Sequence, residues 1–292
     1  MKHFRPRLSR RAFWVLCALL VCLRLALTGF QQAYIWVGGA PLDDELMFRA
    51  ANHITAGQWL GAYDYLTLSK AMFFPVWLAL LHALHLPYLI SGAALWCGAA
   101  LLAAFAFSTL WCKKDPAQGR VLTLGLFVAL AFLPSSWAAY TLRVYRDNIF
   151  PALCLYFFAG MAGMALRAVF TPEKPLWPWL AAAGAGLACG YLDREDAGLF
   201  LLPFAAAATV IVAVVLAGKR RWKALAAQVI PYVMLGVGVL TFCTLNYTHY
   251  GVFALSDFSE GSFAAAMGAM MRVDTDSTAP YLSVPTDARE KI

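Results

Sequence analysis

Charged residues are scarce in this 292-residue sequence: Asp, Glu, Lys and Arg make up 13% of it, whereas 62% is hydrophobic. Apolar runs recur from Ala12 to Leu245, in pieces long enough to cross a bilayer as helices. The runs are continuous, which excludes a transmembrane β-barrel because the strands of such a barrel alternate apolar and polar residues. The sequence therefore predicts an integral membrane protein of the all-α class.

The sequence also lacks the motifs of several kinds of site. It has no P-loop, no glycine-rich dinucleotide motif after a strand, no HExxH and no GxSxG, so we expect no nucleotide site and no nucleic-acid partner. His82 and His85 have no third ligand at matching spacing, and we predict no metal site. The cysteines show no CxxC and no pairing pattern, and we expect small buried hydrophobic residues rather than disulfides or metal ligands. They are Cys17, Cys22, Cys97, Cys112, Cys154, Cys189 and Cys243.

The positive charges favour one threading of the chain through the membrane. If the run 71–86 does not cross, fourteen of the 23 Lys and Arg residues lie on the side of the N-terminus, which the positive-inside rule makes cytoplasmic. We therefore predict that 71–86 is a helix at the outer interface, within an outer loop 31–87 of amphipathic helices. The cytoplasmic segments are then 1–11, 113–120, 167–174 and 218–223. The seven predicted spans are 12–30, 88–111, 121–140, 149–166, 178–192, 197–217 and 224–246.

Arg24 lies inside the first predicted span, where a charge is costly. It is a weak indication of function. Snorkelling or pairing within the bundle is the favoured explanation.

This threading places every acid-rich or mixed-charge cluster at the outer face. We expect these clusters to converge on one site. They are Asp43-Asp44-Glu45, Lys70, Arg143-Arg146-Asp147 and Asp193-Arg194-Glu195-Asp196.

Each cluster also has a simpler explanation. Asp43 would be the N-cap of a helix that opens at Pro41, with the two following acids favoured by its positive end. The arginines of 143–146 would snorkel or pair with Asp147, instead of gripping a phosphate with their planar forks. The turn 193–196 would be a plain loop instead of a cavity wall; it follows a short span in which Gly186 and Gly190 allow close helix packing.

Four features occur in an order typical of one enzyme superfamily. An acidic pair, Asp44-Glu45, precedes Ala51, Ile54 and Gly57 at helical spacing; Lys70 then leads through aromatic residues to Pro75, although the family's Gly-Pro after the lysine is replaced. The segments 143–147 and 193–195 follow. Over roughly 35–220 the chain thereby resembles the GT-C superfamily of multi-span glycosyltransferases, mannosyl- and arabinosyltransferases among them, which use polyprenyl-phosphate sugars.

The resemblance implies transfer of a sugar from polyprenyl phosphate to an acceptor at the outer face of a bacterial inner membrane. A carboxylate must take the proton of the acceptor, a role for Asp44 with Asp43 or Glu45 as its neighbour. Cations must stabilise the departing phosphate, and Asp193 and Glu195 would line the same cavity. The cations are Lys70, Arg143, Arg146 and Arg194. Membrane lipids and the polyprenyl-phosphate sugar are the expected partners, and the residues leave open whether a divalent cation assists.

Two other classes of protein stay open. A transporter or flippase for a lipid-linked substrate would also place charges at a cavity mouth, although no matching halves occur. A non-catalytic membrane protein is the third class. The apolar runs predict a bundle over 1–246 and an extracytoplasmic polar tail over 247–292. GT-C members usually carry more spans and a further outer domain. The tail would begin a further domain, in a fragment or a truncated member.

Overall fold

The computed structural model of the protein describes residues 7–112, 115–171, 173–257, 262–274, 284 and 286–291. This part of the chain consists of helices and loops without a strand, which confirms the all-α class. The helices are α1 (Arg10–Gly29), α2 (Pro41–Thr55), α3 (Phe73–Ala83), α4 (Tyr88–Ser108), α5 (Pro116–Ala131), α6 (Ala139–Leu142), α7 (Phe150–Phe170), α8 (Trp177–Asp193), α9 (Ala197–Gly218), α10 (Trp222–Ala227), α11 (Ile230–Tyr250), α12 (Ser262–Met270) and α13 (Thr286–Glu290). Short 3-10 turns, Pro134–Trp137 and Arg146–Asn148, flank α6.

Within the described residues, five stretches are long and apolar enough to cross a membrane: α1, α4, α7, α9 and Trp222–Tyr250, which contains α10 and α11. Their length and composition are those of a multi-pass membrane protein. Two further predicted spans correspond to α5 and α8, which have 16 and 17 residues. Both are shorter than the roughly 20 residues of a typical span, so the number of seven spans stays a prediction.

The helix α5 is shorter than the predicted span 121–140. It ends at Ala131, and the chain continues through the 3-10 turn Pro134–Trp137 into α6. Proline lacks the backbone N–H that a helix interior needs, and it disfavours helical backbone in the residue before it. As a result a loop, not a helix, lies beside the last turns of α1.

The segment 31–87, the predicted outer loop, holds two helices, α2 and α3. The run 71–86 forms α3 over 11 residues, which rise about 16 Å, about half the hydrocarbon core of a bilayer. This helix is too short to cross, and it packs against α2. Ala40 is the N-cap residue of α2 and Pro41 opens it, so the interpretation of Asp43 as N-cap is wrong: Asp43 lies in the first turn.

One end of the bundle, here called the basic end, is defined by contacts among residues 7–12, 109–112, 115–120, 167–171, 173–177 and 218–223. The Nε of Arg120 donates to the carbonyl of Leu8 at 2.8 Å, which joins the starts of α1 and α5. Arg167 donates to the carbonyl of Phe105 at 3.3 Å, and Lys219 donates to the carbonyl of Ala168 at 2.9 Å. The ends of α4, α7 and α9 therefore lie with those starts.

The opposite end, here called the mixed-charge end, gathers the outer loop, the segment 134–149 and the turn after α8. The backbone N–H of Val144 donates to the carbonyl of Tyr34 at 2.9 Å. Arg146 donates to the carbonyl of Asp193 at 3.0 Å, which joins the start of α7 to the end of α8. Because α5 and α8 each run from the basic end to this one, the helix directions alternate between the two ends.

Close packing of α7 on α8 fixes this arrangement. A Cβ added to Gly186 would lie 2.4 Å from the backbone nitrogen of Phe157, and one added to Gly160 would lie 2.5 Å from that of Ala183. The prediction of close packing holds for Gly186. At Gly190 the nearest atom is a Leu201 side-chain carbon at 3.3 Å, so this glycine is not at the point of closest approach.

No disulfide joins the seven cysteines, all of which lie in the described part of the chain. Cys17, Cys97 and Cys243 are buried as expected. Cys22 is exposed on α1, so the expectation of a buried residue is wrong there.

Candidate functional site

The structure brings the predicted site residues, with one exception, into one network at the mixed-charge end. The start of α2, the segment 143–147 and the turn 193–196 meet there, with Lys70 beside them. The exception is Glu45, whose side chain is 54% exposed and lies 3.8 Å from Arg49 on its own helix. Convergence follows from the packing of α7 on α8, because the segment 143–147 precedes α7 and the turn 193–196 follows α8.

The first element of the network is a buried ion pair between Asp44 and Arg143. The Nε of Arg143 lies 3.0 and 3.3 Å from the two carboxylate oxygens, and its Nη2 also donates to Oδ1. The backbone N–H of Trp36 donates to Oδ2 at 2.6 Å. Burial alone would lower the pKa of Arg143, but the carboxylate of Asp44 outweighs burial and raises it.

These contacts leave Asp44 little freedom for chemistry. The residue is 1% exposed and Arg143 is 8% exposed. A carboxylate offers about four acceptor positions, and three N–H groups, two of the guanidinium and one of Trp36, occupy most of them. We therefore interpret the pair as an anchor that ties the outer loop to the segment before α7.

The second element is the pair of Arg146 and Glu195. The Nη1 of Arg146 donates to both carboxylate oxygens, at 3.0 and 2.9 Å, and the backbone N–H of Ala71 donates to Oε1. Burial raises the pKa of Glu195, but the charge of Arg146 and these hydrogen bonds outweigh it, so the pKa lies below its ordinary value. The carboxylate is therefore ionised at neutral pH and links α8 to the loop before α3.

The third element is the pair of Asp43 and Lys70, which is more exposed to solvent than the first two pairs. The two side chains are 35% and 34% exposed, and the Nζ of Lys70 lies 3.6 Å from Oδ1 of Asp43. The hydroxyl of Tyr145 donates to Oδ2 at 3.2 Å and accepts from Nη2 of Arg146 at 3.0 Å. Burial raises the pKa of Tyr145, which keeps the proton on this hydroxyl. Asp43 is thus held in place while part of it stays open to solvent.

The remaining predicted residues are Arg194 and Asp193. Arg194 contacts Asp147 at 3.1 Å and Asp196 at 3.0 Å, and about a third of its side chain is exposed. Asp193 is fully buried, and neither of its carboxylate oxygens has a hydrogen-bond partner in the described part of the chain. Its backbone carbonyl, not its carboxylate, receives Arg146.

The ion pairs of the network argue against phosphate binding by the arginines alone. Carboxylates already bind Nε and Nη2 of Arg143 and Nη1 of Arg146, and five acids pair with the four cations, while the carboxylate of Asp193 pairs with none of them in the described residues. A phosphate at either fork must therefore displace a buried carboxylate, which is costly. Lys70 makes the longest of these contacts and has the most exposed side chain of the four cations, so it is the cation that a phosphate could reach most easily. The cations are Lys70, Arg143, Arg146 and Arg194, and the acids are Asp43, Asp44, Asp147, Asp193, Glu195 and Asp196.

Sequence reasoning gave no role to two groups that hold the network together. Tyr145 joins Asp43 to Arg146, and its place between two arginines was the available signal. The amide of Trp36 binds Asp44, and a backbone group of this kind leaves no signal in the sequence.

A metal site is not visible in the described residues, where no three metal-binding side chains cluster. The ring centroids of His82 and His85 lie 6.4 Å apart on and after α3. Whether a divalent cation assists the proposed chemistry stays open.

Comparisons with protein-family models, with curated proteins and with solved structures find no match. The resemblance to GT-C glycosyltransferases therefore rests on the residues and their order alone.

Proposed function

We propose that this chain is an integral membrane glycosyltransferase that moves a sugar from a polyprenyl-phosphate donor to an acceptor at the outer face of the cell membrane. The observation that carries the proposal is the pair of Asp43 and Lys70, a partly exposed carboxylate and ammonium 3.6 Å apart on a buried network of ion pairs. A reacting pair needs this combination of access and a rigid support.

The proposed topology has seven spans and a cytoplasmic N-terminus. Its support is the alternation of helix directions, in which α5 and α8 run between the same two ends as the longer helices. Ten of the nineteen Lys and Arg residues that the structure describes lie at the basic end, as the positive-inside rule expects for the cytoplasmic side. The mixed-charge end would then face outward.

In the proposed reaction Asp43, not Asp44, is the general base. The acceptor hydroxyl attacks the anomeric carbon of the sugar while Asp43 takes its proton, and the bond from that carbon to the phosphate oxygen breaks. The polyprenyl phosphate leaves with the electron pair, and Lys70 stabilises its negative charge. Asp44 is a poorer base because the guanidinium of Arg143 occupies its oxygens.

The test uses purified protein in nanodiscs and a panel of radiolabelled polyprenyl-phosphate hexoses and pentoses. Asp43→Asn should lower the rate of sugar transfer by about 10²–10⁴ while donor binding persists. Glu45→Gln is the matched control, because Glu45 lies on the same helix turn outside the network, and it should leave the rate near the wild-type value. Failure of the wild type both to bind and to consume any donor would refute the proposal.

Binding or translocation of a lipid-linked substrate without chemistry is the second candidate. The pairing of Arg143 and Arg146 with carboxylates favours it, because these two ion pairs form without a reacting ligand. In that case donor would bind to the wild type and to Asp43→Asn, and no sugar would be transferred by either.

A further inference from the structure

A cavity lies at the mixed-charge end, between α1, α4 and the segment 134–142. Its volume is about 50 Å³, several times the roughly 10–15 Å³ that one water needs by the same measure. No residue of the charged network lines it. Arg24, Thr28, Trp96, Ser136 and Asn148 are among the residues that do.

Arg24 is the charged residue of this cavity, and its charge is not balanced. The residue is 3% exposed, its guanidinium carbon lies 3.3 Å from the centre of the Trp137 ring, and Nη2 donates to the carbonyl of Ser136 at 2.8 Å. Its Nε and Nη1 have no hydrogen-bond partner, and no acid among the described residues pairs with it. A buried cation in this state is unfavourable unless something else supplies the counter-charge.

The fold makes room for a ligand at this position. Because α5 ends at Ala131, the loop after it lies beside α1 and turns the carbonyl of Ser136 toward Arg24. Asn148 adds a second unpartnered group: its Oδ1 makes no hydrogen bond, while its Nδ2 donates to the carbonyl of Thr141 at 2.7 Å. The residues that line the cavity thus include a cation with unpartnered N–H donors and an amide with an unpartnered acceptor, in the described part of the chain. A phosphate group that carries one proton matches both.

The helix surface beside Arg24 is apolar. Leu23 and Leu27 are 49% and 42% exposed on α1, one of the stretches suited to crossing a membrane. In a bilayer these side chains would face acyl chains, with Arg24 about 7 Å below the helix end at Gly29. A lipid that bears a phosphate therefore lies close to the cavity, and free phosphate is the other source of the same chemistry.

We propose that Arg24 and this cavity form an anion site for a phosphate group, separate from the network of Asp43 and Lys70. The inference does not depend on sugar transfer. Either site can function if the other does not.

The test measures thermal unfolding of the purified protein in an uncharged, phosphate-free detergent. The probes are inorganic phosphate, dioctanoyl phosphatidic acid and, as the matched lipid without phosphate, dioctanoylglycerol. The wild type should show a saturable rise in melting temperature, about 5 °C at a hundredfold excess over Kd. A rise with the phosphatidic acid alone identifies a lipid as the source, and a rise with inorganic phosphate as well identifies the phosphate group itself.

Variants of Arg24 distinguish a ligand site from a structural arginine. Arg24→Gln should abolish the rise, and Arg24→Lys should weaken the affinity about tenfold because it keeps the charge and loses the fork. Without phosphate, Arg24→Gln should melt no lower than the wild type, since it removes an unbalanced charge. A structural arginine would instead make that variant less stable under all conditions.

Arg167→Gln is the matched control. Arg167 also lies over a tryptophan, at 3.8 Å from the Trp179 ring, and donates to two backbone carbonyls, but it leaves no buried nitrogen without a partner. This variant should keep the phosphate response. The proposal is overturned if the wild type shows no response, or if Arg24→Gln and Arg24→Lys respond like the wild type.

Discussion

Asp44→Asn separates the structural role that the geometry gives Asp44 from the catalytic role that the sequence predicted. The carboxylate lies against Arg143 with side-chain exposures of 1% and 10%. Asparagine keeps an acceptor for the N–H of Trp36, but it leaves the guanidinium of Arg143 buried without a counter-charge. We therefore expect the variant to be less stable than the wild type.

The size of the loss follows from the burial of the pair. Removing one partner of a buried ion pair costs about 3–5 kcal/mol, mostly because the other charge stays behind. Arg143→Gln should cost a similar amount. The double variant should lose less than the two single losses together, with a coupling of about 0.5–3 kcal/mol.

The assay is reversible unfolding in mixed micelles, followed by the fluorescence of the 10 tryptophans. Asp43→Asn is the matched control. It removes the neighbouring carboxylate from a pair in which both side chains are about a third exposed, so it should cost at most about 1 kcal/mol. If Asp44→Asn unfolds within about 1 kcal/mol of the wild type and yet loses sugar transfer, the reasoning is refuted and Asp44 is the base.

Two further predictions concern packing and topology. Gly186→Ala should destabilise the protein by about 1–3 kcal/mol, because its Cβ would meet the backbone of α7. Gly236→Ala is the control and should not destabilise it, because a Cβ there would meet no described atom within 4 Å. Equal free energies of unfolding for the two variants would contradict the close approach of α7 and α8. Lys70→Cys should react with a membrane-impermeant thiol reagent in intact cells, and Arg220→Cys should react only after permeabilisation; the reverse pattern would invert the proposed topology.

Hydropathy predicted the helical class because a continuous apolar run has one stable form in a membrane. The end of α5 was also predictable. Pro134 and the two serines after it are a helix-breaking signal, and the predicted span 121–140 ran through them. The predicted span 121–140 is too long because it follows hydropathy and ignores the effect of Pro134 on the helix backbone.

The burial of Asp44 could not be predicted from the sequence. Asp43 stands four residues before the fully buried Met47, on the same face of α2, so helix periodicity alone would bury Asp43. Asp44 is the buried one because Arg143 and the loop at Trp36 cover it. These partners meet through the pairing of Tyr34 with Val144, a tertiary contact that no local pattern shows.

The degree to which each cation is satisfied decides where an anion would bind at the mixed-charge end. Arg143 and Arg146 have carboxylates on their forks, so a phosphate gains little there and must first break a buried pair. Lys70 has one long contact, and Arg24 has free N–H groups and no carboxylate. Lys70→Gln and Arg24→Gln should therefore lower the affinity for a phosphate-bearing ligand. The direct contribution of the Arg143 and Arg146 guanidinium groups to that affinity should be smaller. Because no residue of the charged network lines the Arg24 cavity, one substitution should leave binding at the other position intact.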